Sequence, residues 1–159
     1  MLVEETLTLG QWTSVLKLVT MWQMDRLHGI AIRKIKEIEA EKAEWLDVLD
    51  VSALHGLSDV QQLAIQRLSS NSTFKEVEKI LIARKYKVAS WLEEGYQELV
   101  ERVECFSDEE DSNLGFKTVS KLYRLRDRCL RSNLRCSAPK VDIDAIRRGF
   151  MEELTAMRT

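Results

Sequence analysis

Apolar residues recur along this chain at steps of three and four, the spacing of one face of an α-helix, rather than at the step of two that marks a strand. Leu9, Trp12, Leu16 and Val19 follow that rule, and after a short break Leu27, Ile30, Ala31, Ile35 and Ile38 follow it again, which predicts helix, corner, helix. Sliding the chain along itself lays 11–35 over 44–68 with apolar positions in register: Trp12 on Trp45, Leu16 on Leu49, Leu27 on Val60 and Ile35 on Leu68. A tandem period of roughly 33 residues is expected of stacked helical hairpins, in which one unit buries its apolar face only against a neighbour. In the second copy Gly56 loosens the corner and Ser58 is placed to cap the next helix, with Asp25 as the corresponding cap in the first. A turn near Ala40 is expected to separate the second and third helices.

Downstream, Thr73 with Glu76, Ser90 with Glu93 and Ser107 with Glu110 each spell an S/T-x-x-E capping box and predict three further helix starts. The first helix carries Val77, Ile80 and Leu81 and the second carries Trp91, Leu92, Tyr96, Leu99 and Val103. The third is a short acidic helix ending at Leu114 and Gly115. A longer helix follows, with Phe116, Val119, Leu122, Tyr123, Leu125, Cys129 and Leu130 on its apolar side. Residues 132–141, with Pro139, read as a linker, and Asp142 caps one last amphipathic helix over 142–159 bearing Ile143, Ile146, Phe150, Leu154 and Met157. The expectation is an all-α chain of about nine helices arranged as stacked antiparallel hairpins with a tandem internal repeat.

Composition agrees and narrows the function. Six Gly and one Pro in 159 residues are far below the roughly nineteen of average usage, which argues against a many-turned β fold. A net charge of -2 provides no global attraction to nucleic acid or acidic lipid, so any such binding needs a local patch. Cys105, Cys129 and Cys136 form an odd set without a CxxC pair, which points to a reducing compartment and gives no four-ligand zinc site. The N-terminal residues lack the cationic and apolar regions of a secretory leader, and no apolar run approaches the ~20 residues that span a bilayer. These features predict an intracellular protein, cytoplasmic or nuclear, without membrane attachment.

In order, QWTSVLKLVTMW, LAIQRL, VEKILIARKYKVASWL, GYQELVERVE and SDEEDSNLGFKTVSKLYRLRDR resemble the helical region that follows the BTB (POZ) domain in a large family of fungal BTB-domain proteins. The resemblance covers roughly residues 7–131, and its most specific pieces are VEKILIARKYKVASWL and LGFKTVSKLYRLR. It implies an all-α region, here 1–131, that serves protein–protein interaction without a cofactor. The BTB fold itself is not in this sequence, so its dimer interface and docking surfaces transfer to no residue here. The family pattern also has a single WTSVLKL-type hairpin, where this chain has two in tandem, the second diverged at Asp47 and Asp50.

No constellation for chemistry stands out. His28 and His55, the only histidines, have no ligand-type imidazole at metal spacing. Cys129 lies beside Arg128 but also on an apolar stripe, which makes it core filling. Asp108 to Asp111 lack the alternation and central Gly of an EF-hand loop and instead complement a helix dipole. Catalytic, cofactor and metal residues are therefore expected to be none, with no small-molecule substrate. Two features remain as candidate interaction surface. One is Trp22, set in a corner with Met21 and Met24, whereas Trp12, Trp45 and Trp91 read as core anchors. The other is the basic run 117–135, in which Arg124, Arg128 and Arg131 stand against the single acid Asp127. A protein is the expected partner. Nucleic-acid association through 117–135 is the alternative, and pairing of that run with the acidic stretch 93–111 is the purely structural reading.

Overall fold

Thr8 starts the first helix with a reciprocal cap. Its hydroxyl accepts from the Gln11 N–H at 3.4 Å while the Gln11 side chain accepts from the Thr8 N–H at 2.8 Å. Helix α1 (Leu9–Met21) turns back through residues 22–24 into α2 (Asp25–Glu37), and after a break at 38–41 come α3 (Lys42–His55) and α4 (Ser58–Asn71). The computed structural model describes residues 7–71, 74–132 and 141–158, and every regular element among them is a helix. The chain divides into two compact units, Met1–Thr73 and Phe74–Thr159.

In the first unit α1 packs on α2, α3 on α4, and α1 on α3. The shift that lays Trp12 on Trp45 also lays the start of α1 on that of α3 and the start of α2 on that of α4. Both corners close in one way. Gln23 at φ +55 and Gly56 at φ +65, which coincide under the same shift, occupy the left-handed position, and the following N–H of Met24 or Leu57 reaches back 2.9 Å to the Val19 or Ser52 carbonyl oxygen. Leu16, Leu49, Ala31, Ala64, Ile35 and Leu68 are fully buried. The proposed caps are displaced by one residue: Asp25 and Ser58 are the first helical residues, and Met24 occupies the cap position of α2 without a side-chain bond. Asp25 still favours the helix dipole from the first turn.

The second unit contains α5 (Glu76–Tyr86), α6 (Ala89–Glu101), α7 (Asp108–Leu114), α8 (Phe116–Ser132), α9 (Ile143–Gly149) and α10 (Met151–Arg158). Its centre is α6, which packs against α5, α8, α9 and α10. Tyr96, Leu92, Leu99 and Val100 of α6 are fully buried, and α5 approaches closely at Gly95, where a Cβ would lie 2.7 Å from Ile80 Cγ1. Of the three expected capping boxes, Ser107–Glu110 is present, with bonds of 2.8 and 3.2 Å. Thr73 lies outside the described residues, and α5 begins instead at Glu76, with the Lys75 N–H donating to Glu78. The Ser90–Glu93 box is not formed. Helix α6 starts at Ala89, and the Arg147 guanidinium takes the buried Glu93 carboxylate at 2.9 and 3.1 Å.

The single last helix expected over 142–159 is two. Asp142 caps it as predicted, but the helix breaks at Phe150, where the chain turns to bury the ring and stack it on Tyr96 at 3.9 Å between centroids. Gly149 makes the break compact, since a Cβ there would already stand 3.3 Å from Leu125. The described residues thus form ten helices rather than about nine. The core face of α8 also differs from the expected stripe: Thr118, Val119, Leu122 and Leu125 are buried while Phe116, Tyr123 and Leu130 are exposed. Likewise Leu81 and Val103 lie outside. Of the 132–141 segment, residues 133–140 lie outside the described residues, and Val141 is buried with its N–H donating to Glu101.

Candidate functional site

Trp22 caps the C-terminal end of α1, its N–H donating 3.0 Å to the Leu18 carbonyl, and its side chain is 61% exposed. Leu18 and Met21 share its face of α1 at helical spacing, and Met24, Leu27 and Ile30 continue the apolar series along α2. All six are exposed. The contrast with the second hairpin is sharp: Leu57, Val60 and Leu63 are at most 8% exposed, whereas Met24, Leu27 and Ile30, their counterparts in the first hairpin, are 39–48% exposed. If the six side chains each leave on the order of half of ~150–200 Å² uncovered, they present about 500 Å² of apolar surface, at the upper range of the largest patch on an ordinary monomer. The same two helices expose the cations Lys17, Arg26, Arg33 and Lys34 and the acids Asp25 and Glu37, with Lys34 paired to Glu37 at 3.0 Å. Trp45 and Trp91 are buried anchors as expected, and Trp12 is half-buried.

On the second unit, the basic run divides by helix geometry. Arg126 points inward to the C-terminal end of α6, where its guanidinium donates to the carbonyl oxygens of Leu99 at 2.7 Å, Glu104 at 3.2 Å and Val100 at 3.4 Å. It also lies 5.3 Å from the Phe106 ring centroid and 5.8 Å from that of Tyr123. This is a structural arginine, satisfying carbonyls that a helix end leaves free. Arg124, Arg128 and Arg131 point outward, and Arg131 is paired with Asp127 at 3.0 Å on an exposed surface. Among the described residues Arg124 and Arg128 form no ion pair. Four acids of 93–111 find other partners: Glu93 takes Arg147, Glu94 and Glu98 take Lys79, and Glu110 takes Arg102 at 2.9 Å. That last pair, with the Ser107 N–H adding a backbone bond, holds the Glu110 carboxyl well down, to about 2.

The densest polar cluster was not legible in the sequence because its members lie 12 to 69 residues from Arg84, which joins them. Arg84 donates to Glu153 at 2.8 Å, to Thr118 at 2.8 Å, to Tyr96 at 3.1 Å and to the Leu114 carbonyl at 3.2 Å, and the Tyr96 hydroxyl donates to Glu153 at 2.8 Å. Burial raises the Tyr96 pKa and keeps the phenol protonated; burial opposes the charge on Arg84, but Tyr96 and Glu153 outweigh it. An open cleft of about 360 Å³ adjoins the cluster, lined by Lys117, Lys121, Phe150 and Glu152 besides members of the network. Arg84 already uses its nitrogens on protein acceptors, so the cluster works as a lock between helices.

Cys129 is half-buried, its thiol pushed up by burial and then by Glu101, opposite to what activates a thiolate. Cys105 is exposed, and Cys136 lies outside the described residues. His55 is exposed in the last turn of α3. No group of three or more His, Cys, Asp or Glu among the described residues could hold a metal ion, and no helix there is long and apolar enough to cross a membrane. The chain matches no protein-family model, no curated protein and no solved structure.

Proposed function

We propose that this chain is a non-catalytic protein-interaction module, comparable to the helical region after the BTB domain of fungal proteins, and that it engages its partner through the open face of α2 and the Trp22 corner. One observation carries the reading. In two hairpins whose helix starts and corner geometry coincide, the face buried at Leu57, Val60 and Leu63 is left open at Met24, Leu27 and Ile30. Taking the hairpins as copies of one unit, the face that the second hairpin buries is available in the first for a further packing partner. That open face is apolar with exposed charges on the same helices, the composition of an interface centre and its surround. Trp22, large and rigid at the tip, has the properties of an anchor residue.

The test uses the full chain with a photo-crosslinking residue in place of Trp22 or, as control, of the exposed Leu81 on the second unit. A protein crosslinked from Trp22 and not from Leu81, and lost when Met24→Ser and Leu27→Ser are introduced, supports the reading. Equal crosslinking from both positions, or none from Trp22 in cells that produce the chain naturally, overturns it. Circular dichroism of the serine variants shows that the helices persist.

A further inference from the structure

Helix α8 carries a second, independent surface. Phe116, Tyr123 and Leu130 stand seven residues apart, all exposed, Phe116 at 88% and the other two at 40–48%. Each is followed by a cation: Lys117, Arg124 and Arg131. At 100° per residue the three apolar side chains lie within an arc of about 40°, and Lys117, Arg124 and Arg131, with Lys121 and Arg128, fill a neighbouring arc of about 80°. From Phe116 to Leu130 the row runs about 21 Å at 1.5 Å per residue. Asp127 is the only acid in α8, and it is paired with Arg131. Lys121 leans over the Phe150 ring at 5.3 Å, while Lys117, Arg124 and Arg128 have no ion pair among the described residues. The ring of Tyr123 is steadied edge-on by Phe106 at 5.0 Å.

We propose that this face docks an acidic amphipathic helix of a partner protein, its apolar residues along the Phe116–Tyr123–Leu130 row and its carboxylates against Lys117, Arg124 and Arg131. Width and chemistry select that occupant. A narrow row about 21 Å long has the length and width that one helix lying along it can cover, with the flanking charges setting partner choice. A lipid surface takes a broad apolar face, upward of about 100°. A phosphate backbone makes use of the cations but gains nothing from three apolar side chains beside them. Lys117 and Lys121 share a cleft with Glu152 and Glu153 and Arg131 is paired with Asp127, whereas Arg124 and Arg128 have no ion pair among the described residues, which puts the complementary charge on the partner.

The experiment titrates the full chain with a designed three-heptad peptide carrying Leu at heptad positions flanked by Glu, with its Lys-for-Glu counterpart, with a single-stranded oligonucleotide and with anionic vesicles. The Glu peptide is expected to bind and the Lys peptide not to. Phe116→Ser with Leu130→Ser should weaken binding about tenfold or more, and Arg124→Glu with Arg131→Glu should exchange the preference toward the Lys peptide. The variant Met24→Ser with Leu27→Ser, on the other surface, should leave binding unchanged, which separates this result from the proposal for α2. Absence of binding, binding indifferent to Phe116 and Leu130, loss through Met24 and Leu27 instead, or tighter binding of the oligonucleotide or vesicles through the same cations would each overturn it.

Discussion

Replacing Arg126 by alanine should destabilise the second unit by about 2–3 kcal/mol, while the same change at Arg128, two residues on, should fall within about ±0.5 kcal/mol as an ordinary surface substitution. The magnitude follows from the contacts. The bond to the Leu99 carbonyl at 2.7 Å is charge-assisted and short, of the kind that contributes roughly 1.5–3 kcal/mol. Bonds at 3.2 and 3.4 Å to Glu104 and Val100 add less, and ring contacts at 5.3 and 5.8 Å contribute roughly 0.5–1 kcal/mol each. Freeing the side chain returns up to about 2 kcal/mol of rotamer entropy, which leaves the stated net. For a unit of this size that is a fall in Tm of roughly 10–20 °C. Urea denaturation followed by circular dichroism measures it, and amide exchange at Val100 to Arg102 localises it to the end of α6. Arg126→Lys should recover less than half, because one ammonium cannot span three carbonyls. Equal stability of the Arg126 and Arg128 variants, or fraying elsewhere than α6, would refute the assignment of Arg126 to structure.

Gly95→Ala should destabilise by about 1–2 kcal/mol despite its better helix propensity, since its Cβ meets the buried Ile80 Cγ1 at 2.7 Å. Ile80→Ala should abolish that penalty in a double-mutant cycle read by thermal unfolding. Gln23→Gly should stabilise the first hairpin by roughly 1 kcal/mol, as glycine holds the left-handed position without strain, whereas Gly56→Ala should lose about as much. Glu110 is held at about 2 against an ordinary 4.5, so its carboxylate stabilises the fold above pH 4.5 and that contribution disappears as pH falls through about 2. Glu110→Gln should therefore be less stable than the parent at pH 6 and equal to it below pH 2, as melting curves across that range will show.

Helix content was legible because it rests on spacing and local chemistry: the Ser107–Glu110 box and the Gly56 corner need no tertiary information. Rotation of α8 about its axis was not. Phe116 reads as core and Arg126 as surface by residue type, yet packing of Val119, Leu122 and Leu125 turns α8 so that Arg126 meets the α6 carbonyls and Phe116 faces out. Local propensity gives no hint of the break at Phe150 either, because its cause is a ring, Tyr96, more than fifty residues away in the chain. Trp22 was legible as a candidate from its corner position. The openness of the α2 face was not, since the repeated pattern makes Leu27 look equivalent to Val60 and only burial distinguishes them. The outward arginines Arg124, Arg128 and Arg131 were found by charge counting, but the apolar row beside them was hidden in the expected core stripe.

The Arg84 lock also sets the order in which the chain can be completed. Hairpins of the first unit close between segments that leave the ribosome close together, whereas Arg84 must wait 69 residues for Glu153. At typical synthesis speeds of about 5–20 residues per second that delay is roughly 3–14 s. Throughout it, the Tyr96 hydroxyl lacks its carboxylate acceptor and the Tyr96 ring lacks Phe150. A nascent second unit therefore spends seconds with its central helix unlocked, the interval in which a chaperone or a protease would meet it, while the first unit emerges with its own contacts already made.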